Sequence, residues 1–158
     1  MALQHELKLK QPLVSLNHEA LLSLVRTASL MQKLSDRFFS RFGLTDTQFN
    51  ILMILSERRD GLSQQELSEH LIVTKSNVVG LIDRLEKSGY VSRNPHPTDR
   101  RFNQIVLTRK GEGLVRRVEE SYFREVDKMM NVLTTSEKKA VIRAMESIRQ
   151  YVSDARID

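Results

Sequence analysis

The 158-residue sequence contains no cysteine. The chain therefore has no disulfide, no thiolate zinc site and no cysteine-based redox sensor or nucleophile. Its histidines are scattered without the spacing of zinc ligands, at His5, His18, His70 and His96. The sequence also lacks a glycine-rich phosphate loop and a histidine paired with a nucleophile motif. We therefore expect no bound metal, no cofactor and no enzymatic activity.

Long apolar runs are missing as well. The longest run, residues 51–55, is far shorter than the ~20 residues that a helix needs to cross a bilayer. The amino-terminal residues, interrupted by Lys8 and Lys10, contain no signal-peptide core. Hydrophobic residues make up 40% and charged residues 28% of the chain, which is typical of a folded protein. We expect a cytoplasmic protein with one structural unit per subunit and no membrane partner.

Positive charge is in excess, and much of it is concentrated in one segment. The net charge is +5. Between Ser88 and Lys110 there is a single acid, Asp99, and the basic residues are Arg93, Arg100, Arg101, Arg109 and Lys110. A local basic patch favours an acidic partner such as nucleic acid.

Hydrophobic residues recur at helical spacing along most of the chain. Capping boxes begin at Thr45, Ser63 and Thr134, and glycines that suit a left-handed helix end follow at Gly43 and Gly89. The predicted helices span about 13–42, 45–59, 63–70, 74–88, 108–133 and 134–152. Helices three and four form a pair joined by a tight turn.

A short β-hairpin follows this helix pair. Residues 90–93 and 102–108 are rich in β-formers, and Pro95 and Pro97 favour an extended loop between them. The sequence predicts a mainly α fold with a small β-hairpin wing: a winged helix-turn-helix domain over 45–108, with long N- and C-terminal dimerisation helices over 1–44 and 109–158.

The first and fifth helices carry more apolar surface than one neighbouring helix would cover. The residues outside their main apolar lines are Leu22, Val25, Leu30 and Phe39 in the first helix, and Leu114, Phe123 and Met130 in the fifth. A second subunit is the expected cover, so the two ends of the chain are predicted to form a homodimer interface.

The helix pair and the wing contain the predicted DNA-binding residues. The second helix of a helix-turn-helix pair presents its first residues to base edges, and here these are Thr74, Lys75, Ser76 and Asn77. Ser63 and Gln64 are placed to contact phosphate, and Arg93, Asp99, Arg100 and Arg101 complete the set, with the wing arginines suited to the minor groove. Taken singly, Thr74 is also an ordinary N-cap and the Arg100–Arg101 pair an ordinary solvated turn. Their ordered combination favours binding to double-stranded DNA.

Three segments, residues 77–93, 99–101 and 106–111, resemble the MarR family of bacterial regulators. The resemblance extends over nearly the whole chain, and it implies a homodimer that binds a pseudo-palindromic operator. It also implies that Arg101 is the minor-groove residue of the wing. Many relatives have Thr-Arg where this chain has Val79-Gly80, so one DNA contact made by that arginine is expected to be missing.

The resemblance further implies control by a ligand, because many relatives release DNA when a small, often aromatic anion binds. The pocket predicted here consists of Met31, Phe38, Arg41, Phe49, Met53 and Met129. The same methionines and phenylalanines are equally explained as ordinary core. We expect a dimeric repressor released by a small aromatic or anionic ligand. The alternative is a winged-helix module for protein–protein interaction with no direct ligand control.

Overall fold

The computed structural model describes residues 2–11, 13–58, 60–71, 78–95 and 103–155. Its elements, in chain order, are α1 Ala2–Glu6, α2 Leu16–Ser40, α3 Asp46–Ser56, β1 Leu62–Ser63, α4 Gln64–His70, α5 Val78–Lys87, β2 Val91–Pro95, β3 Asn103–Leu107, α6 Arg109–Met130 and α7 Thr135–Asp154. The chain forms two compact units, Met1–Val115 and Arg116–Asp158. The division lies within α6, and the predicted domain limits of 45–108 stay a prediction.

The predicted caps that fall within the described residues are confirmed. Thr45, Ser63 and Thr134 each form a complete capping box, in which the cap hydroxyl accepts a backbone hydrogen bond and the third helical side chain accepts one from the cap N–H. Gly43 and Gly89 have left-handed backbone angles, with φ of 68° and 72°. The amino ends of α3, α4 and α7 are therefore fixed by local sequence.

The first two helices differ from the prediction in their bounds. Helix α1 was not predicted, because five residues are too few to show a helical period. Helix α2 begins at Leu16 and not near residue 13, since the hydroxyl of Ser15 accepts a hydrogen bond from the backbone of His18 at 3.3 Å and caps it there.

The sheet has three antiparallel strands in the order β1-β3-β2, where a two-stranded hairpin was expected. Strand β1 pairs with β3 through Leu62 and Ile105. Gly61 makes this close approach feasible, because a Cβ there would lie 2.6 Å from the Ile105 carbonyl oxygen. Pro95, expected in the loop, is the last residue of β2, which is an edge strand and so tolerates proline.

The buried core of the N-terminal unit joins α2 and α3 to the winged helix-turn-helix elements. Its largest fully buried side chains are Phe49, Ile51, Leu52, Leu55, Leu67, Ile82, Leu85, Val91 and Ile105. Phe39 belongs to it, with its ring centroid 4.9 Å from that of Phe49, and Leu114 is only 2% exposed. The sequence predicts that both face a second subunit, and that prediction is wrong because the single chain already buries them.

The expected inward line of α2 is in fact largely exposed in the single chain. Leu21, Met31 and Leu34 are 57%, 45% and 50% exposed. Burial on α2 depends on the position along the helix and not on the apolar stripe. Phe38 and Phe39, near its carboxyl end, are buried, whereas Val25 and Leu30 are as exposed as the expected inward residues.

The C-terminal unit contains the second part of α6 and all of α7. None of the 20 residues of α7 is buried. Large apolar side chains are exposed on both helices, namely Phe123, Val141, Ile142, Ile148, Tyr151 and Val152. This unit therefore has apolar surface that the single chain leaves open to water.

No helix within residues 2–11, 13–58, 60–71, 78–95 and 103–155 combines the length and the apolar character needed to cross a membrane. No three or more histidine, aspartate or glutamate side chains in the same ranges are grouped so that they would hold a metal ion.

Candidate nucleic-acid interface

Helices α4 and α5 pack together as the predicted helix pair, and both contact α3. Their inward side chains, Leu67 on α4 and Val78, Ile82 and Leu85 on α5, are 5% exposed or less. The apolar period i, i+4, i+7 of α5 explains this burial, because these positions lie on one helical face. The outer faces of the pair are thereby turned to solvent.

Ser63 and Gln64 stand at the start of α4. The Ser63 hydroxyl accepts a hydrogen bond from the Glu66 backbone at 3.2 Å, and its own N–H donates to the Glu66 carboxylate at 2.8 Å. Ser63 is thus engaged as a cap, although its hydroxyl proton is not used by either bond. Gln64 is half-buried in the first turn. Their predicted phosphate contacts stay a prediction.

The predicted base-reading and wing-tip residues lie outside the described residues. These are Thr74, Lys75, Ser76 and Asn77, and Asp99, Arg100 and Arg101. The structure does fix what flanks them. Helix α5 is described from Val78, and the wing strands pair as far as Pro95 and Asn103. Residues 96–102 therefore connect the paired ends of β2 and β3.

Arg93 on β2 is placed against α5. Its guanidinium donates to Asp83 at 2.5 Å and also to Glu86, and its backbone N–H donates to Glu86 at 3.1 Å. The hydrogen bond with Asp83 is the main cause that raises the pKa of Arg93, with the charge of Glu86 contributing. Sequence reasoning missed both partners. The signal was the Asp83-x-x-Glu86 spacing, which puts two carboxylates on one helical face.

A second set of contacts fastens the end of α5 to the start of α6. The Thr108 hydroxyl donates to the Gly89 carbonyl at 2.7 Å and accepts from the Gly111 N–H at 3.1 Å. Lys110 donates to the Ser88 carbonyl at 2.8 Å and lies 5.0 Å from the centre of the Tyr90 ring. The predicted cap at Thr108 is therefore present, and it also anchors the turn that leads into the wing.

The aromatic members of the predicted ligand pocket lie at the junction of α2 and α3. Phe49 is 1% exposed and Phe38 is 9% exposed. The Arg41 guanidinium lies 5.9 Å from the ring centres of both Phe38 and Phe42, within the range of a cation–π contact. Phe49 and Phe38 are thus core residues, while Arg41 is exposed to solvent.

The methionines of that predicted pocket have different surroundings. Met53 is half-buried in α3, Met31 is exposed on α2, and Met129 belongs to the C-terminal unit. A cleft of about 390 Å³ in the N-terminal unit is lined by seven other residues, Gly43, Thr45, Gln48, Leu81, Arg84, Lys87 and Ser88. The predicted pocket itself stays untested.

Comparison with known proteins is consistent with this geometry. The family model described as "MarR family" matches residues 44–102, which include α3, α4, α5 and β2. The chain is 30% identical to the HTH-type transcriptional repressor YetL of Bacillus subtilis over 136 residues, 85% of this chain and 81% of that protein. It is 31% identical to the HTH-type transcriptional regulator PapX of Escherichia coli over 122 residues, 74% of each chain.

Solved structures have the same fold. AbsC, a MarR family regulator from Streptomyces coelicolor, superposes with a TM-score of 0.81 at 23% identity, over 92% of this chain and 100% of that one. Another MarR family regulator from the same organism, solved in complex with DNA, gives 0.77 at 27% identity, over 89% and 91%. CouR from Rhodococcus jostii, solved with p-coumaroyl-CoA, gives 0.71 at 20% identity, over 92% and 99%.

Proposed function

The chain belongs to the MarR family of DNA-binding transcriptional regulators, and we propose that it acts as a homodimeric repressor that a small aromatic or anionic ligand releases from DNA. The observation that carries this proposal is the packing of α4, α5 and the wing on one core. Arg93 on β2 forms ion pairs with Asp83 and Glu86 on α5, which join the two elements that flank the predicted DNA-contacting segments. The repressor role is further supported by the relative YetL, which is named a transcriptional repressor.

The homodimer is supported by the apolar side chains that a single chain leaves exposed. On α2 these are Leu21, Val25, Leu30, Met31 and Leu34, and on α6 and α7 they include Phe123, Ile142 and Ile148. Exposed large apolar side chains that recur along a helix are typical of an interaction surface. A two-fold axis would place two copies of α5 in successive major grooves, ~34–36 Å apart, with the wings beside them.

Ligand control requires that the ligand change the separation of the two α5 helices. A ligand releases DNA only if it binds more tightly to a conformer whose two α5 helices have the wrong separation, because equal affinity for both conformers shifts nothing. The structure of CouR with p-coumaroyl-CoA supports an aromatic, anionic class of ligand for this fold. Arg41, the cation of the predicted pocket, lies beside the Phe38 and Phe42 rings, a setting suited to such a ligand.

Selection from a random-sequence DNA pool tests the DNA-binding part of the proposal. The selected duplex and a mixed-sequence duplex of equal length are then titrated with protein at two salt concentrations, and fluorescence anisotropy is measured. We expect affinity for both duplexes to fall with salt, and the selected duplex to be preferred by about 10³-fold or more. Equal affinity for the two duplexes contradicts sequence-specific regulation and favours the protein–protein interaction module.

The ligand part is tested with a panel of aromatic carboxylates and their CoA thioesters, p-coumaroyl-CoA among them. At least one member is expected to raise the dissociation constant for the selected duplex, and Arg41→Ala should reduce that effect. A ligand that binds the protein while DNA affinity stays constant contradicts release by that ligand.

A further inference from the structure

The wing strand β2 is tied to α5 by a compact ionic cluster of three side chains. The Arg93 guanidinium donates to Asp83 with one nitrogen and to Glu86 with another. The Glu86 carboxylate also accepts the backbone N–H of Arg93 at 3.1 Å. Strand β2 is an edge strand of the sheet. The Glu86 carboxylate therefore satisfies a backbone N–H that has no partner in a neighbouring strand. The cluster thus fixes both the side chain and the backbone of β2 relative to α5.

The two carboxylates are unfavourably placed unless Arg93 lies between them. Asp83 and Glu86 are three residues apart on one face of α5, where like charges repel. Glu86 lies in the last turn of the helix, where the helix dipole disfavours an acid. Both acids also belong to the unit that is proposed to bind the DNA polyanion. Three separate electrostatic costs are therefore offset by one arginine.

We propose that Arg93, Asp83 and Glu86 form a positioning clamp that sets the angle between the recognition helix α5 and the wing, and that Arg93 acts through this clamp and not as a phosphate contact. The inference rests on the proposed function, because it assigns how the two DNA-contacting elements keep their spacing. An arginine fork is suited to the task, since its planar nitrogens reach two carboxylates at once, whereas a lysine is a single point of charge.

The three side chains of the clamp are partly exposed to water, so the clamp adds little to the free energy of unfolding. Side-chain exposure is 24% for Arg93, 37% for Glu86 and 57% for Asp83, and partly exposed ion pairs contribute little to the free energy of unfolding. Variants of the three residues should therefore fold. Their effect should be on the geometry of the wing, which DNA affinity and local hydrogen exchange report.

Neutralising the two acids distinguishes the two possible roles of Arg93, because the roles predict opposite changes in DNA affinity. Asp83→Asn and Glu86→Gln remove negative charge next to DNA, so plain electrostatics predicts tighter binding. If the two acids hold the clamp, both variants should weaken binding to the selected duplex by about 3- to 10-fold. Glu69→Gln, on α4 and in contact with Gln65, is the matched control and should bind as well as the wild type or slightly better. Tighter binding by Asp83→Asn and Glu86→Gln would overturn the clamp.

The substitution Arg93→Lys is a second test of the clamp. A phosphate contact survives this change, because lysine keeps the charge, so the salt slope and affinity would stay near those of the wild type. The clamp loses its fork, so the selected duplex should be bound several-fold more weakly than by the wild type, with the preference over mixed-sequence DNA reduced. Wild-type affinity and preference in Arg93→Lys would contradict the proposal.

The hydrogen-exchange rates of the β2 amides, measured in the DNA-free protein, test the clamp even if the protein binds no duplex specifically. The amides of Arg93 and Asn94 should exchange faster in Arg93→Gln than in the wild type, while those of α4 should not change. If the wild type binds no DNA but β2 still loses protection, the proposed function fails and the clamp stands. Unchanged exchange in β2 refutes the clamp whatever the DNA result.

Discussion

At the scale of single residues, Gly111 and Gly113 in α6 form a natural pair for comparison. A Cβ on Gly111 would overlap the Tyr90 carbonyl oxygen and crowd Leu107, whereas a Cβ on Gly113 would meet nothing within 4 Å. The first glycine permits α6 to begin directly against the turn before β2. The second has no such neighbour and only weakens the helix.

Alanine substitution should therefore have opposite effects at the two glycines. We expect Gly111→Ala to lower the free energy of unfolding by about 1–3 kcal/mol, because the backbone must shift to admit the methyl group. Gly113→Ala should raise it by about 0.5–1 kcal/mol through helix propensity alone. Urea unfolding of the two variants measures the difference, and equal midpoints would show that the close approach at Gly111 is not a constraint.

Arg101 in the connection between the wing strands is predicted to contact the minor groove. Arg101→Ala should weaken binding to the selected duplex by about 1–3 kcal/mol and leave the thermal midpoint unchanged. Lys139→Ala, which removes the same charge from α7, is the control for a general loss of attraction to DNA. Equal losses in both variants would indicate that Arg101 contributes only net charge.

At the scale of helices and strands, the sequence was informative wherever structure is decided locally. Capping boxes at Thr45, Ser63 and Thr134 depend on residues three apart, so they could be predicted. Strand β1 could not, since its two residues have no period and exist as a strand only through β3. The burial of Phe39 depends equally on a distant partner, the Phe49 ring of α3.

The carboxylate of the α7 capping box makes helix stability depend on acid pH. The hydrogen bond from the Thr134 hydroxyl, then that from its N–H, lowers the pKa of Glu137 from its ordinary 4.5. Because the folded-state pKa is the lower one, the stabilisation is complete above pH ~4.5 and is lost as pH falls through the folded-state pKa.

Two substitutions at this cap test the direction of the effect. Glu137→Gln keeps an acceptor for the cap but has no charge to titrate, and Thr134→Ala removes the hydroxyl donor. Both variants should lose less helicity than the wild type when α7 is followed by circular dichroism and hydrogen exchange from pH 5 to pH 3. A wild-type pH slope in both would mean that this carboxylate does not couple to folding.

At the scale of the whole molecule, α7 requires a partner surface. A 20-residue helix with no buried residue gains little from packing within the single chain, although packing of an apolar face is the main source of helix stability in proteins. Its apolar positions Val141, Met145, Ile148 and Val152 nevertheless follow the spacing of a buried face. The helix is therefore read best as one side of a subunit interface.

A charge placed on that face should separate the subunits. Ile148→Asp enters a two-fold interface twice, and each unpaired carboxylate taken from water costs several kcal/mol unless it is compensated. We expect dimer dissociation to be favoured by about 100-fold or more, measured by sedimentation at micromolar concentration. Gln150→Asp adds the same charge on the opposite face of α7 and should leave the dimer intact.

Loss of the dimer should also reduce sequence-specific DNA binding. The same two variants therefore test whether DNA recognition depends on the dimer. Two linked α5 helices bind successive grooves with a high effective concentration, whereas a monomer must bind each half-site alone. Ile148→Asp should therefore lose most of its preference for the selected duplex while keeping weak, salt-sensitive binding to any DNA. If Ile148→Asp is monomeric and still discriminates between the duplexes like Gln150→Asp, recognition resides in one subunit and the two-fold arrangement is not its basis.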